Sequence, residues 1–312
     1  MEKPRLSRQT SVSCLLAAAA FLCSAVVAAP AQAATSHQSG HHRHGARTAR
    51  QPHRPAVAAP RTAGTVRRTG ADLPAPVVLD APGFDTCWAP STAAMQAWHN
   101  STGYRAVGIY IGGRNRACVG GNLTPSWVRA VANQGWSFFP VYVGLQAPCV
   151  IGKGMTRMQA ARAGAEGAAE ADDAAAQARA YGLAEGSPIY FDLEAYKSTG
   201  AGCVATVLSY LNAWTIRLHA AGFYSGVYGS ADSGMTALAT AVQTRSAFAA
   251  PDEIWIAHWD QRANTSDSSV PDQLWAGQQR IKQYVGGHVE KHGGVAIDID
   301  SDWVDGPVAR LR

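Results

Sequence analysis

The chain has 312 residues, a formal charge of +5 and 16% charged residues, so it can bury at least one sizeable core. Its charge is uneven: residues 1–33 carry +2 and residues 34–76 carry +6, which leaves −3 for Val77 to Arg312. A nucleic-acid-binding role for that last stretch therefore loses its main support, because the basic balance lies outside it.

Lys3, Arg5 and Arg8 precede an apolar run from Val12 to Ala29, and Ala31-Gln32-Ala33 follows as a small-x-small site. This is the pattern of a secretory signal peptide, residues 1–33, cleaved before Ala34. Arg5 and Arg8 are separated, so a twin-arginine signal is not supported. Residues 34–76 hold seven arginines and five histidines among Pro, Ala, Gly and Thr. Too little large apolar surface is present to offset ordering entropy, so a disordered tether is expected, with a charge suited to an anionic cell envelope. Export makes the cysteines informative. Cys14 and Cys23 leave with the signal, and Cys87, Cys118, Cys149 and Cys203 should form two disulfides in one of three pairings. No Cys-x-x-Cys spacing suggests zinc.

From Val77 to Arg312 apolar β-type runs alternate with longer amphipathic stretches. Strands are predicted at Val77–Phe84, Ala106–Ile111, Trp136–Val143, Pro188–Leu193, Tyr224–Tyr228, Glu253–Ala257, Arg280–Val285 and Val295–Ile299. Helices are predicted at Pro90–Asn100, Thr124–Gln134, Ala160–Tyr181, Val204–Ala221 and Met235–Thr244. Thr124 and Pro125 supply an N-cap and first-turn proline, and Gly222 a C-cap. After the sixth strand the connections turn short and irregular. Alternation of this kind over roughly 235 residues matches a single (β/α)₈ TIM-type barrel with short or irregular helices in its last units. A doubly wound sheet lacks its Gly-x-Gly-x-x-Gly turn here.

Barrel sites form where strands run out into loops. The first strand ends on Asp85 and the fourth on Asp192 and Glu194. The sixth ends on His258, Trp259 and Asp260, the seventh on Gln283 and Tyr284, and the eighth on Asp298, Asp300 and Asp302. Residues two apart share a strand face, so Asp192 pairs with Glu194 and Asp298 with Asp300. Carboxyl groups gathered in apolar surroundings raise one another's pKa, which keeps one protonated near neutral pH. Glycoside hydrolysis needs such a proton donor beside other carboxylates. Trp88, Tyr196, Trp259 and Trp303 suit the apolar faces of sugar rings. The same oxygens could serve Mg²⁺ or Ca²⁺ instead. Glu166, Glu170, Asp172 and Asp173 fall in the third helix and read as a solvated face. His99 and His219 read as helical residues without catalytic roles.

The motifs GFDTCWAPS (83–91), IYIGG (109–113), PIYFDLEAY (188–196), IWIAHW (254–259), IKQY (281–284) and AIDID (296–300) together resemble a bacterial glycoside-hydrolase-like family, domain of unknown function 1906. That family is itself similar to the muramidases of glycoside hydrolase family 25. The resemblance covers nearly all of Val77 to Val308. It implies Glu194 as general acid, with Asp192, Asp85 and Asp298 as its catalytic partners. Asp300, Tyr196, Trp259, His258, Gln283, Tyr284 and Trp88 are the expected substrate-binding residues. Asp300 stands where the muramidases more often have asparagine, and His258 and Trp259 also depart from their pattern. The expected partner is a polysaccharide, peptidoglycan or another cell-envelope glycan, hydrolysed or only recognised by a secreted monomer without cofactor.

Overall fold

A computed structural model describes residues 69–312. The signal-peptide reading and the tether up to residue 68 lie outside the described residues. Thr69 to Pro76, the last residues of the expected tether, are laid onto the barrel. Leu73 is buried, the Tyr224 hydroxyl donates to the Pro74 carbonyl at 3.3 Å, and Arg310 donates to the Ala75 carbonyl at 2.9 Å.

Eight strands close into a barrel in chain order: β1 (Val77–Asp85), β2 (Ala106–Gly112), β3 (Ser137–Tyr142), β4 (Pro188–Leu193), β5 (Tyr224–Ser230), β6 (Glu253–Ala257), β7 (Arg280–His292) and β8 (Val295–Val308). Among the described residues five α-helices are interleaved: α1 (Thr92–Ser101), α2 (Pro125–Asn133), α3 (Ala163–Ala180), α4 (Ala201–Ala221) and α5 (Thr236–Thr244). The local chemistry accounts for their ends. Ser91 and Thr124 cap α1 and α2 by accepting from Ala94 N and Trp127 N, while Gly222 closes α4 in the left-handed region at φ 90°.

The expected eight-stranded barrel is present, with one difference. β1 to β7 pair in parallel, but β8 runs antiparallel to both β7 and β1. The cause is Gly293-Gly294, a two-residue connection with φ +54° and +83°. Positive φ at both central residues is the demand of a tight hairpin turn, and a two-residue link can join only antiparallel strands. β7 and β8 are accordingly much longer than the expected Arg280–Val285 and Val295–Ile299. Their arms rise above the barrel rim and lean on α1, where Trp98 Nε1 donates to Val295 O at 3.0 Å and His292 meets the Trp98 ring edge-on.

Two apolar layers follow from the period-2 alternation of the strands. Phe139, Val141, Tyr190, Trp255, Ile281 and Val304 fill the barrel's interior, and a larger cluster lies between strands and helices. The interior is thus plugged below the mouth, which opens toward the strand-end loops.

The third-helix acids are not one solvated face. Glu170 is buried and accepts from Leu145 N at 2.7 Å, from Arg114 Nε at 3.1 Å and from the Tyr210 hydroxyl. Asp173 accepts from the Tyr142 hydroxyl at 2.7 Å. Glu166 and Asp172 instead pair with Arg162 and Arg217 nearer the surface. His99 and His219 are packed, the first against Trp136 and the second on Asp252. Glu170→Ala leaves three donors without their acceptor and should lower unfolding free energy by about 3 kcal/mol in urea titrations. Asp172→Asn, at a half-exposed pair, should change it by less than about 1 kcal/mol. Equal effects of the two substitutions would contradict this division.

Candidate active site

Inward-facing positions near the barrel's open end bring together Asp85 from β1, Tyr110 from β2, Asp192 from β4, Tyr228 from β5, Gln283 from β7, and Asp300 and Asp302 from β8. Glu194 continues the inward face of β4 just beyond its last residue. It opens onto a cleft lined also by Tyr228, Ser230, Asp232, His258 and Trp259.

Asp85 is the hub. Tyr110 donates its hydroxyl to Oδ1 at 2.7 Å, and Gln283 Nε2 donates to Oδ2 at 2.8 Å. The Gln283 amide is itself held, since its Oε1 accepts from the Tyr228 hydroxyl at 3.0 Å and from Trp259 Nε1 at 2.9 Å. Burial and the neighbouring Asp300 push the Asp85 carboxyl up to about 7, against the pull of its hydrogen-bond donors. Asp192 is wholly enclosed, and burial, Glu194 and Asp85 together hold its carboxyl well above the usual range. Burial raises Glu194 as well. Gln146, in the loop after β3, orients both acids through the backbone. Its Nε2 donates to Asp192 O at 2.8 Å, and its Oε1 accepts from Glu194 N at 2.9 Å.

The reversal of β8 corrects the expected placement of its acids. They do not stand at the strand's C-terminal end, which lies at the opposite end of the barrel. They descend through its first half instead. Asp298 is exposed in the raised hairpin, Asp300 pairs in register with Asp85, and Asp302 pairs with Gly83 one layer lower, fully buried. Asp300, not Asp298, is thus level with Asp85. Its carboxyl is raised by burial, with the charge of Asp298 adding to the shift.

The expected ring-stacking residues separate into two groups. Trp88 and Trp259 are exposed, at 54% and 63%, and Trp259 lies over Gly286, where a Cβ would come within 2.5 Å of the indole. Tyr196 is buried, with its hydroxyl on Ser233 O, and cannot line a groove. Tyr284 alternates with Gln283 and faces the outer wall, where it hydrogen-bonds Ser301. Trp303 is also on that wall, donating to Asp80 at 3.0 Å. His258 borders the cleft but its Nδ1 is engaged by Asp267. His258, Asp260 and Asp267 have a spacing that suits a metal ion, but the ammonium group of the buried Lys282 lies 2.7 Å from Asp260 and 3.9 Å from Asp267, which already answers their charge.

The disulfides resolve the three possible pairings as Cys87–Cys118 and Cys149–Cys203, with Cα separations of 5.4 and 6.1 Å. The first ties the loop after β1 to the loop after β2. The second ties the loop after β3 to the start of α4. Both brace the site's rim. Tyr110, Gln146 and Tyr228 were not among the expected site residues, and Asp302 was expected only as a strand-end acid without a role. Tyr110 had a usable signal, an inward period-2 position in the IYIGG run.

The raised carboxyl of Asp85 makes stability depend on pH. A group with its folded pKa above the unfolded value of about 4 stabilises the fold below that value, and loses this contribution as pH rises through about 7. The melting temperature should therefore fall between pH 5 and pH 8.5, and Asp85→Asn should make that fall shallower. Parallel curves for the two proteins would contradict the assignment.

Comparison with known proteins yields a family. A Mycobacterium tuberculosis structure, the Tat-secreted protein Rv2525c in complex with HEPES, is similar at 16% identity and TM-score 0.48, covering 73% of this chain and 96% of its own. A B. stearothermophilus protein solved at 1.07 Å is similar at 17% identity and TM-score 0.47, covering 72% and 95%. The modular autolysin LytC of Streptococcus pneumoniae is similar at 12% identity and TM-score 0.44, covering 74% of this chain and 46% of its own. No curated protein matches the sequence. The model of the Rv2525c-like, glycoside hydrolase-like domain matches residues 96–304, from β2 into β8, with every site residue except Asp85 and Trp88, and the chain belongs to that family.

Proposed function

We propose that this protein is an exported glycoside hydrolase acting on peptidoglycan or another cell-envelope polysaccharide, with Glu194 as its general acid. One observation carries the reading: a glutamate whose carboxyl is raised by burial opens onto a cleft at the barrel mouth, with Asp192 on the same strand face and Asp85 beside it. In this role the Glu194 carboxyl gives its proton to the glycosidic oxygen as the bond to the anomeric carbon breaks. Positive charge grows on the sugar ring at that moment. The carboxyl groups of Asp85 and Asp300, level with each other, stabilise it or take the proton of the incoming water. Asp300 therefore takes the place that the sequence resemblance gave to Asp298. Trp259 and Trp88 offer exposed indole faces for sugar rings.

Membership of a glycoside hydrolase-like family supports a glycan as the ligand. Two disulfides at the mouth support an oxidising compartment, in keeping with the signal-peptide pattern of residues 1–33. Among the described residues no helix is long and apolar enough to cross a membrane. A pure glycan-binding role is the second reading. The exposed apolar side chains of Trp88, Val119, Ile151 and Trp259 on the strand-end loops favour it, since they would serve recognition without turnover.

The test is incubation of the purified protein with peptidoglycan and a panel of neutral polysaccharides, beside Glu194→Gln. Release of reducing ends by the wild type, with a loss of about 10²- to 10⁴-fold in the variant, is expected. Binding without release by either protein would replace the hydrolase with the recognition reading.

A further inference from the structure

We propose that Asp302 is a positioning residue: it keeps a proton and donates it to Asp85, so that Asp85 acts as a carboxylate held by three donors. The catalytic consequence rests on the glycosidase reading; the shared proton does not.

Hydrogen-bond accounting at the hub assigns the proton. Asp302 is fully buried, and its Oδ1 accepts from Trp255 Nε1 at 2.9 Å. Its Oδ2 is enclosed and meets no N–H or O–H donor of the protein. The carboxyl group of Asp302 nonetheless lies in hydrogen-bonding contact with that of Asp85. Two carboxylate oxygens are acceptors only, so a contact between them requires a proton on one of the pair. The surroundings decide which. Trp259 Nε1 can only donate, so it fixes Gln283 Oε1 as the acceptor and leaves Gln283 Nε2 pointing at Asp85. Tyr110 also donates to Asp85. Asp85 thus faces two donors already and gains most by staying an acceptor. Asp302, with one weakly donating indole and an otherwise unpartnered oxygen, gains most by keeping the proton.

The groups facing the pair come from several elements. Asp85 meets Tyr110 on β2, Gln283 on β7 and Asp300 on β8, with Asp192 on β4 and Tyr228 on β5 close enough to feel its charge. Asp302 meets Trp255 on β6, Asp85 and Asp300, with Tyr284 behind it. No lysine or arginine is among them, and His288 on β7 faces Asp300, beside the pair. A shared proton relieves the repulsion, as expected for carboxyl groups in one enclosed site.

The test compares Asp302→Asn with Asp302→Leu. The amide keeps an acceptor for Trp255 and a donor for Asp85 without a titratable proton, whereas leucine removes both. Side-chain carboxyl ¹³C resonances, assigned through Asp85→Asn and Asp302→Asn, read the protons directly. The Asp302 carbon should stay at its protonated position from pH 5 to pH 9 while that of Asp85 titrates. Asp302→Leu should raise the Asp85 midpoint by at least one pH unit and lower kcat at least tenfold with KM nearly unchanged. Asp302→Asn should restore both. An ionised Asp302 at pH 7 would overturn the proposal, as would an Asp85 midpoint indifferent to leucine. If the wild type shows no turnover, the glycosidase reading fails, and the carbon titration still decides where the proton resides.

Discussion

The two-residue turn at Gly293-Gly294 is the constraint on which the site depends. Positive φ at both positions forces β8 to return antiparallel along β7, and the closing seam with β1 is then antiparallel as well. A (β/α)₈ barrel of eight parallel strands would have carried the acids of the last strand upward and out of the mouth. Reversal sends them downward, one every second residue on the inner face. Asp298 remains in the hairpin, Asp300 meets Asp85, and Asp302 reaches the apolar plug beneath. A side chain at Gly293 would also collide with the Ala97 carbonyl, at 2.7 Å from the added Cβ, so the same turn fits the hairpin onto α1.

An acid cluster of this depth needs compensation, because burying carboxylates unpaired costs several kcal/mol each. Among the described residues no lysine or arginine supplies it to Asp85, Asp192 or Asp302. Neutral donors do: Tyr110 and Gln283 on Asp85, and Trp255 on Asp302. The remainder appears as upward shifts of the carboxyl groups, with burial the leading cause of each at the mouth. The property that makes the cluster expensive for folding is the property an acid catalyst uses at neutral pH. Gln146 and Gln283, both uncharged, fix the acids in place, and the Gln283 amide pulls Asp85 toward its carboxylate form.

Much of the fold was legible in the sequence. β1 to β6 are apolar runs bounded by polar turns, and all five helices lie within a few residues of their expected ends. The direction of β8 was also written there, as Gly-Gly between two alternating stretches, but the regular βα rhythm of the earlier units suggested an eighth parallel strand. Tyr284 was misplaced for a reason that alternation could have caught, since it must face away from Gln283. Tyr196 and Glu170 were not recoverable in this way. Their environments are made by Ser233 and Tyr210, which are distant in sequence and brought near only by the closed barrel. Asp302 likewise finds Trp255 across 47 positions.

The central claim, that a reversed β8 lays its aspartates against β1, is tested most directly by cross-strand nuclear Overhauser contacts in solution. Antiparallel register predicts contacts between Phe84 and Ser301 at the mouth and between Val78 and Pro307 at the far end. Contacts pairing Val78 with the first residues of β8, and Asp85 with its last, would show a parallel strand and contradict the arrangement of the whole site.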